Sequence, residues 1–331
     1  MKQQIQKFLK TIEWSQKILL INHIRMDGDA WWSLCALALI LKKLWKHVEA
    51  INDCNVPPSF WFLWHTDIIN PDIDIKQFAP DCIIALDTSC ISRLGESYKK
   101  WQIIFTDTPL IVIDHHISNP SFWDINIIDS KSSSTCELLT NIIQTLWFEY
   151  LIDEEIATFL YLGIQTDTIM YYNSNTTSKT LKIWSWLVWK WANYHTIIYE
   201  MFQKKSFKQL KLWGILIENM QQDISKNINY SSISPYEIGR LNIKHEEIWW
   251  YLKWAISELM INIEETKISF LIYPISLEEN KVSMRSQTWY DVASICESFW
   301  WGWHTQAAWF QTKESTEVVT EKLLRKISEI L

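Results

Sequence analysis

Acidic and imidazole side chains follow short apolar runs in the first third of the chain, where they could bind metal ions. The runs are Ile18–Asn22, Cys82–Leu86 and Leu110–Ile113, and a further acid follows a later helical pattern. The polar residues collected in this way are His23, Asp27, Asp29, Asp87, Asp114, His115, His116 and Asp167. Carboxylates and imidazoles without thiolates suit Mn²⁺ or Mg²⁺, and the set is large enough for two ions that share one carboxylate. Two such ions can activate a water molecule for attack on a phosphoryl group.

Taken singly, each of these residues has an ordinary explanation. An Asp at a strand end usually caps a helix, and a His pair is usually a surface or core feature. Four such groups of residues in order along the chain favour a shared binding site over these separate explanations. The continuous apolar runs before them predict strands buried on both faces of a parallel sheet. The carboxyl ends of such strands meet at one edge, where open α/β sheets bind their ligands.

The remaining pattern predicts two domains of α/β fold. Helical periodicity appears at Ser33–Leu44, Ser134–Leu146, Glu154–Tyr161, Thr177–Lys190 and Ile197–Asn219. From about Asn229 short strands follow at Ile268–Tyr273 and Lys281–Arg285, with helices at Asp291–Phe299 and Glu317–Leu331. We therefore expect a parallel-sheet domain with helices on both faces over 1–190, a helical connector over 191–229, and a smaller mixed α/β domain over 230–331.

Composition restricts the class of protein and contains one anomaly. The net charge of −7 provides no global basic field for long nucleic acid, and no apolar run is long enough for a membrane span. The six Cys form no CxxC pair and are interpreted as reduced core thiols, which predicts a cytoplasmic protein. The anomaly is the presence of 22 Trp beside only 6 Gly. The sum of the two counts is close to the number of Gly in an average protein of this length, in which Gly is about 7% of residues.

The motifs resemble those of the DHH phosphoesterase superfamily. The N-terminal ones are His23-Ile-Arg-Met-Asp27-Gly-Asp29, Asp87-Thr-Ser, Asp114-His115-His116 and Gly163-Ile-Gln-Thr-Asp167. The C-terminal ones, Arg285-Ser286 and the run Trp300-Trp-Gly302-Trp-His304 before Ala307-Ala-Trp-Phe, are similar to the DHH-associated substrate-binding domain, which has a GGGH run there. The resemblance covers nearly the whole chain and is nearest to the short members that cleave oligoribonucleotides and pAp.

This resemblance implies a role for each site residue. His23, Asp27, Asp29, Asp87, His115 and Asp167 would hold two divalent cations, most often Mn²⁺, with Asp87 as the bridge. Asp114 would orient an imidazole, and His116 would lie near the scissile phosphate. Arg285, Ser286, Gly302 and His304 would bind the far end of a short RNA or a small phosphorylated nucleotide. The family also implies a homodimer. Cyclic dinucleotides and polyphosphate remain alternative substrates on the same scaffold.

Trp residues stand at positions where this superfamily has Gly. They are Trp32, Trp45, Trp289, Trp300, Trp301, Trp303 and Trp309. Gly permits positive φ and close approach of a phosphate, whereas an indole would fill the ligand's space. We therefore expect that the source reads UGA as Gly. The alternative is a non-catalytic relative in which a Trp cluster stacks on single-stranded nucleic acid.

Overall fold

The three apolar runs become neighbouring parallel strands in the computed structural model of the protein. The structure describes all residues except 25, 54–61, 64–67, 71, 122, 244, 277, 288 and 300–304, together with the side chains of 202, 245, 246, 250 and 253. Two units divide the chain, Met1–Gln203 and Lys204–Leu331. The division lies inside the stretch 191–229, which we predicted to be a connector.

The first unit contains a five-stranded, wholly parallel sheet in the order β2-β1-β3-β4-β5. Its strands are β1 (Lys17–Asn22), β2 (His47–Ile51), β3 (Cys82–Leu86), β4 (Leu110–Asp114) and β5 (Ile125–Ile128). Its helices are α1 (Lys2–Trp14), α2 (Gly28–Lys43), α3 (Ile75–Phe78), α4 (Gly95–Lys100), α5 (Gln102–Asp107), α6 (Thr135–Thr145), α7 (Glu154–Asp167), α8 (Ser178–Trp189) and α9 (Tyr194–Ile198). Strands β3 and β4 are buried along their whole length, which confirms the prediction of a covered parallel sheet.

The second unit contains a mixed five-stranded sheet in the order β10-β9-β8-β7-β6, in which only β7 and β8 pair in parallel. Its helices are α10 (Phe207–Glu218), α11 (Pro235–Arg240), α12 (His245–Trp254), α13 (Val292–Glu297) and α14 (Thr316–Ser328). Its strands are β6 (Gln221–Asp223), β7 (Ile228–Ser232), β8 (Ile268–Pro274), β9 (Asn280–Ser286) and β10 (Ala307–Thr312). The predicted α/β class with a second mixed sheet is confirmed, and its first strand begins at Gln221, before the strands that we expected from about Asn229.

Two predicted helices differ from those observed. Helix α2 begins at Gly28 rather than Ser33, because the Asp27 side chain accepts the Ala30 N–H and caps the helix there. The pattern over Ile197–Asn219 is not one helix. It is interrupted by a π-helical turn at Tyr199–Gln203, and α10 starts afresh behind the Ser206 cap.

Three helices of the first unit end in the same hydrogen-bonded motif, with Trp in the position that usually holds Gly. Trp45, Trp147 and Trp191 follow α2, α6 and α8 with φ of 61°, 61° and 70°. In each case the Trp N–H and the next N–H bond back into the last helical turn, which is the Schellman pattern. After α2, the N–H groups of Trp45 and Lys46 donate to the carbonyls of Lys42 and Leu41. After α6, those of Trp147 and Phe148 donate to Gln144 and Ile143, and after α8, those of Trp191 and Ala192 donate to Val188 and Leu187. All three indoles are exposed, at 90%, 81% and 78%.

Trp32 is placed differently from these three. Its indole is buried and stacks on Phe159 of α7, with ring centroids 5.0 Å apart. We expected an indole at this position to fill the ligand's space, but the structure packs it into the interior of the first unit.

The cysteines and the lengths of the helices bear on two predictions made from composition, the reduced thiols and the lack of a membrane span. Among the described residues, Cys35, Cys82, Cys136 and Cys296 are buried, Cys90 is partly exposed, and none of these five forms a disulfide. Cys54 lies outside the described residues. Among the described helices, none combines the length and the apolar character needed to cross a membrane.

Candidate metal centre

The eight polar residues singled out in the sequence lie at the carboxyl edge of the parallel sheet and at the ends of the helices beside it. His23 follows β1, Asp87 follows β3, and Asp114 ends β4 with His115 and His116 directly after it. Asp27 caps α2, Asp29 lies in the first turn of α2, and Asp167 is the last residue of α7.

The structure brings seven of these residues into three overlapping groups, and within each group one ligand atom per residue lies within 4.8 Å of the others. The groups are His23, Asp27 and Asp87; Asp87, His115 and His116; and Asp29, His115 and Asp167. Asp87 joins the first group to the second, and His115 joins the second to the third. All six residues predicted as metal ligands are therefore adjacent, with His116 beside them.

The ring of His23 is oriented by the main chain. Its Nδ1 lies 2.7 Å from the Ile24 carbonyl oxygen, so Nδ1 carries the proton and donates. Nε2 then faces the carboxylates of Asp87, at 3.5 Å, and of Asp27, at 4.0 Å. In the neutral ring these three atoms are all electron-pair donors, and a cation between them would satisfy all three.

His115 repeats this arrangement on the other side of Asp87. Its Nδ1 faces the Ser132 carbonyl oxygen at 3.3 Å, and its Nε2 lies 3.6 Å from Asp87 Oδ1 and 3.6 Å from Asp167 Oδ2. The two oxygens of Asp87 therefore face different imidazoles. This is the geometry expected of a carboxylate that bridges two ions.

His116 and Asp114 form a pair at the end of β4. His116 Nδ1 donates to Asp114 Oδ1 at 2.7 Å, and Asn119 Nδ2 donates to Asp114 Oδ2 at 2.7 Å. Asp114 is fully buried and belongs to none of the three groups. Burial would lower the pKa of His116, but the hydrogen bond to Asp114 and the charges of Asp87 and Asp114 together outweigh burial and raise it.

The carboxylates of the centre repel one another. Burial and then the charge of Asp87 raise the pKa of Asp29 to about 7, and burial and then Asp29 raise the pKa of Asp167 well above its usual value. For Asp87, burial is outweighed by the three neighbouring imidazoles of His23, His116 and His115 together, which hold its pKa well below the usual range. A divalent cation would relieve the repulsion, so the donor set fits such an ion.

Hydrogen-bond donors at the beginning of α6 bind Asp29 and Asp87, and the sequence patterns did not predict these contacts. The main-chain N–H groups of Thr135 and Cys136 donate to Asp29 at 2.5 and 2.9 Å, and the Thr135 hydroxyl donates to Asp87 Oδ1 at 2.9 Å. On α7, Gly163 leaves the space that Asp29 needs: a Cβ there would lie 2.1 Å from Cys136 Sγ and 3.0 Å from Asp29 Oδ1.

The residues predicted to bind substrate lie in the second unit. Arg285 of β9 donates through Nε to Ser257 at 3.1 Å and through Nη1 to the Met284 carbonyl at 2.7 Å, and burial lowers its pKa to about 10. Within the described part of the chain no carboxylate forms an ion pair with it. Ser286 donates to the Tyr290 carbonyl. Gly302 and His304 lie outside the described residues.

A comparison with protein families matches residues 17–164 to the DHH family, N-terminal domain. The match contains β1 through most of α7, and with them every member of the three groups except Asp167, which lies three residues beyond its end. The recognition made from the motifs is thereby confirmed.

Curated relatives share the resemblance at low identity. The "bifunctional oligoribonuclease and PAP phosphatase NrnA" of Bacillus subtilis is 25% identical over 215 residues, which are 65% of this chain and 66% of that protein, just under two thirds. A Mycoplasma pneumoniae protein of the same name is 24% identical over 344 residues, covering 96% and 94%.

A solved structure has the same fold along nearly the whole chain. The exopolyphosphatase-related protein of Bacteroides fragilis superposes with a TM-score of 0.88 at 24% identity, covering 99% of this chain and 96% of that one. At this identity the similarity demonstrates the fold alone.

Proposed function

We propose that this protein is a phosphoesterase that uses two divalent cations, with Mn²⁺ favoured over Mg²⁺, to hydrolyse short oligoribonucleotides and 3′-phosphorylated nucleotides such as pAp. The observation that carries the proposal is the position of Asp87, whose two carboxylate oxygens face the Nε2 atoms of His23 and His115. A shared carboxylate between two imidazole-bearing groups is what a two-metal hydrolase requires.

The residues of the centre divide into those that would hold the ions and those that would act on the substrate. His23, Asp27, Asp29, Asp87, His115 and Asp167 would hold two cations, which when bound supply an activated water and neutralise charge on the phosphoryl oxygens. His116 is proposed to touch the scissile phosphate. Asp114 keeps the His116 ring oriented through the hydrogen bond at its Nδ1.

The far end of the substrate is proposed to bind at Arg285 and Ser286, with Gly302 and His304. The partly buried guanidinium of Arg285, without an ion-paired carboxylate among the described residues, supports an anionic ligand there. The names of the relatives support oligoribonucleotides and pAp as substrates. The net charge of −7 favours short substrates over long polymers. A cytoplasmic location, favoured by the thiols, and a homodimer, by resemblance, remain part of the proposal.

We also propose that several of the Trp residues are Gly in the natural protein, through UGA codons read as Gly. The helix ends at Trp45, Trp147 and Trp191 support this, because φ near +60° favours Gly and a Schellman motif usually has Gly at this position. Of these three, only Trp45 lies at a position where the family motifs have Gly. The left-handed backbone at Trp147 and Trp191 is therefore independent support. UGG codons at 45, 147 and 191 would overturn the proposal.

One experiment tests the activity together with the identity of these residues. Phosphate release from pAp and shortening of a labelled five-nucleotide RNA are measured with Mn²⁺, for the sequence as given and for a version with Gly at 32, 45, 289, 300, 301, 303 and 309. We expect turnover by the Gly version and none by its Asp87→Ala variant. Activity on cyclic di-AMP or polyphosphate alone would replace the substrate assignment. Single-strand binding without turnover in both versions would favour the non-catalytic alternative.

A further inference from the structure

The side chain of Thr135 donates a hydrogen bond into the centre of the acidic cluster. It is the first residue of α6, fully buried, and its hydroxyl lies 2.9 Å from Asp87 Oδ1. The same oxygen faces His115 Nε2 at 3.6 Å. Thr135 therefore contacts the Asp87 oxygen that is turned towards the second and third groups.

The main chain of Thr135 contacts a second acid of the cluster. Its N–H donates to Asp29 Oδ2 at 2.5 Å, while the N–H of Cys136 donates to Asp29 Oδ1. One residue thus connects a carboxylate from the first turn of α2 with the carboxylate that follows β3. The Ser134 side chain caps α6 by accepting the Glu137 N–H, so the Thr135 hydroxyl is not needed as the helix cap.

We propose that Thr135 is a positioning residue that fixes the rotation of the Asp87 carboxylate, so that its two oxygens face the two imidazoles at once. The inference rests on the proposed two-cation function. A hydroxyl donor to one carboxylate oxygen selects one orientation about the last side-chain bond, which is otherwise broad. Hydrogen-bond partners of metal ligands commonly change metal affinity about 10–100-fold when they are removed.

The test compares Thr135→Val, which keeps the shape and removes the donor, with Thr135→Ser, which restores the donor. Thr140→Val is the matched control, because Thr140 is equally buried in α6 but donates to the Cys136 carbonyl, a main-chain oxygen. Mn²⁺ binding is measured by titration calorimetry, and melting temperatures recorded without metal report on folding. The Mn²⁺ concentration that gives half-maximal release of phosphate from pAp provides a second readout.

We expect Thr135→Val to weaken Mn²⁺ binding about tenfold or more and to raise the half-maximal Mn²⁺ concentration in parallel, with little change in kcat at saturating Mn²⁺. Thr135→Ser should restore both values, and Thr140→Val should leave Mn²⁺ affinity within about twofold. Equal Mn²⁺ affinity in Thr135→Val and the parent would overturn the positioning role. A parent that binds no Mn²⁺ would instead overturn the proposed function, and the positioning role with it.

Discussion

Asp87 has a backbone conformation that suits few residues. It follows β3 with φ of 54°, in the left-handed region where Asp and Asn are the best tolerated residues after Gly. Its N–H bonds to the Ile113 carbonyl, which fixes it beside the end of β4. The position therefore needs a short side chain that accepts this backbone, and the centre needs its charge.

Asp87→Asn separates these two requirements. Asn keeps the left-handed backbone and one acceptor oxygen but removes the charge, so we expect a folded protein that loses at least about 100-fold in Mn²⁺ affinity. Calorimetry measures the affinity and circular dichroism the fold. Asp153→Asn is the control, since Asn also caps α7 well. Unchanged Mn²⁺ binding in Asp87→Asn would contradict its role as a shared ligand.

Arg285 provides a prediction for the second unit. Loss of a charge-assisted hydrogen bond costs about 1.5–3 kcal/mol, so Arg285→Ala should raise KM for pAp by about 10–100-fold while kcat changes less. Steady-state kinetics of phosphate release measure both constants. Arg240→Ala removes an exposed guanidinium of the same unit and should leave KM unchanged. A fall in kcat alone would place Arg285 outside substrate binding.

At the scale of elements, the neighbouring strands β1 and β3 are connected by one carboxylate. Asp81 precedes β3, and its Oδ2 accepts the N–H groups of Gln16 and Lys17 where β1 begins, both at 2.8 Å. The bond from Lys17 N–H and then that from Gln16 lower the pKa of Asp81, since both favour its charged form.

The stability that Asp81 contributes should therefore depend on pH. Because the folded pKa is below the unfolded value, the contribution is present above about pH 4 and is lost as pH falls through the folded pKa. In urea titrations, Asp81→Asn should be less stable than the parent at pH 6, and the difference should narrow towards pH 2. The exposed Asp107→Asn, which removes a carboxylate from the end of α5, is measured beside it as a control for folding. A gap that stays constant with pH would refute this explanation.

Close packing of α7 against the centre depends on Gly163. Gly163→Ala would force apart Cys136 and Asp29, so we expect a loss of about 1–3 kcal/mol in the free energy of unfolding and weaker Mn²⁺ binding. Gly214→Ala is the control, because nothing lies within 4 Å of a Cβ at this position of α10, and it should stabilise by about 0.5–1 kcal/mol. Denaturant titration measures both, and equal effects would contradict a steric role.

The elements also show what the sequence could predict. β1, β3 and β4 were predicted because they are buried apolar runs followed by acids. β2 was missed, because its sequence His47-Val-Glu-Ala-Ile alternates polar and apolar residues as an edge strand does. The six ligand candidates were found from local motifs. Thr135 was not, because its role depends on a contact with Asp87, 48 residues away in the chain.

At the scale of the whole molecule, the three Trp at helix ends should cost stability. A non-Gly residue in the left-handed region costs roughly 1–2 kcal/mol, so the triple variant Trp45→Gly, Trp147→Gly and Trp191→Gly should be more stable by a few kcal/mol. Thermal and urea unfolding measure this. Trp189→Gly, in the last turn of α8, is the control and should not stabilise. A triple variant less stable than the parent would count against Gly at these positions.

The order of the ligand candidates along the chain has a consequence for synthesis on the ribosome. They extend from His23 to Asp167, and the last of them closes α7. A nascent chain shorter than this lacks part of the third group, whereas a chain that ends before the second unit has all three. An ion that binds only the folded form would stabilise it by mass action. From the proposed two-cation function we therefore expect the first unit to bind divalent ions and become stable while the second is still being translated.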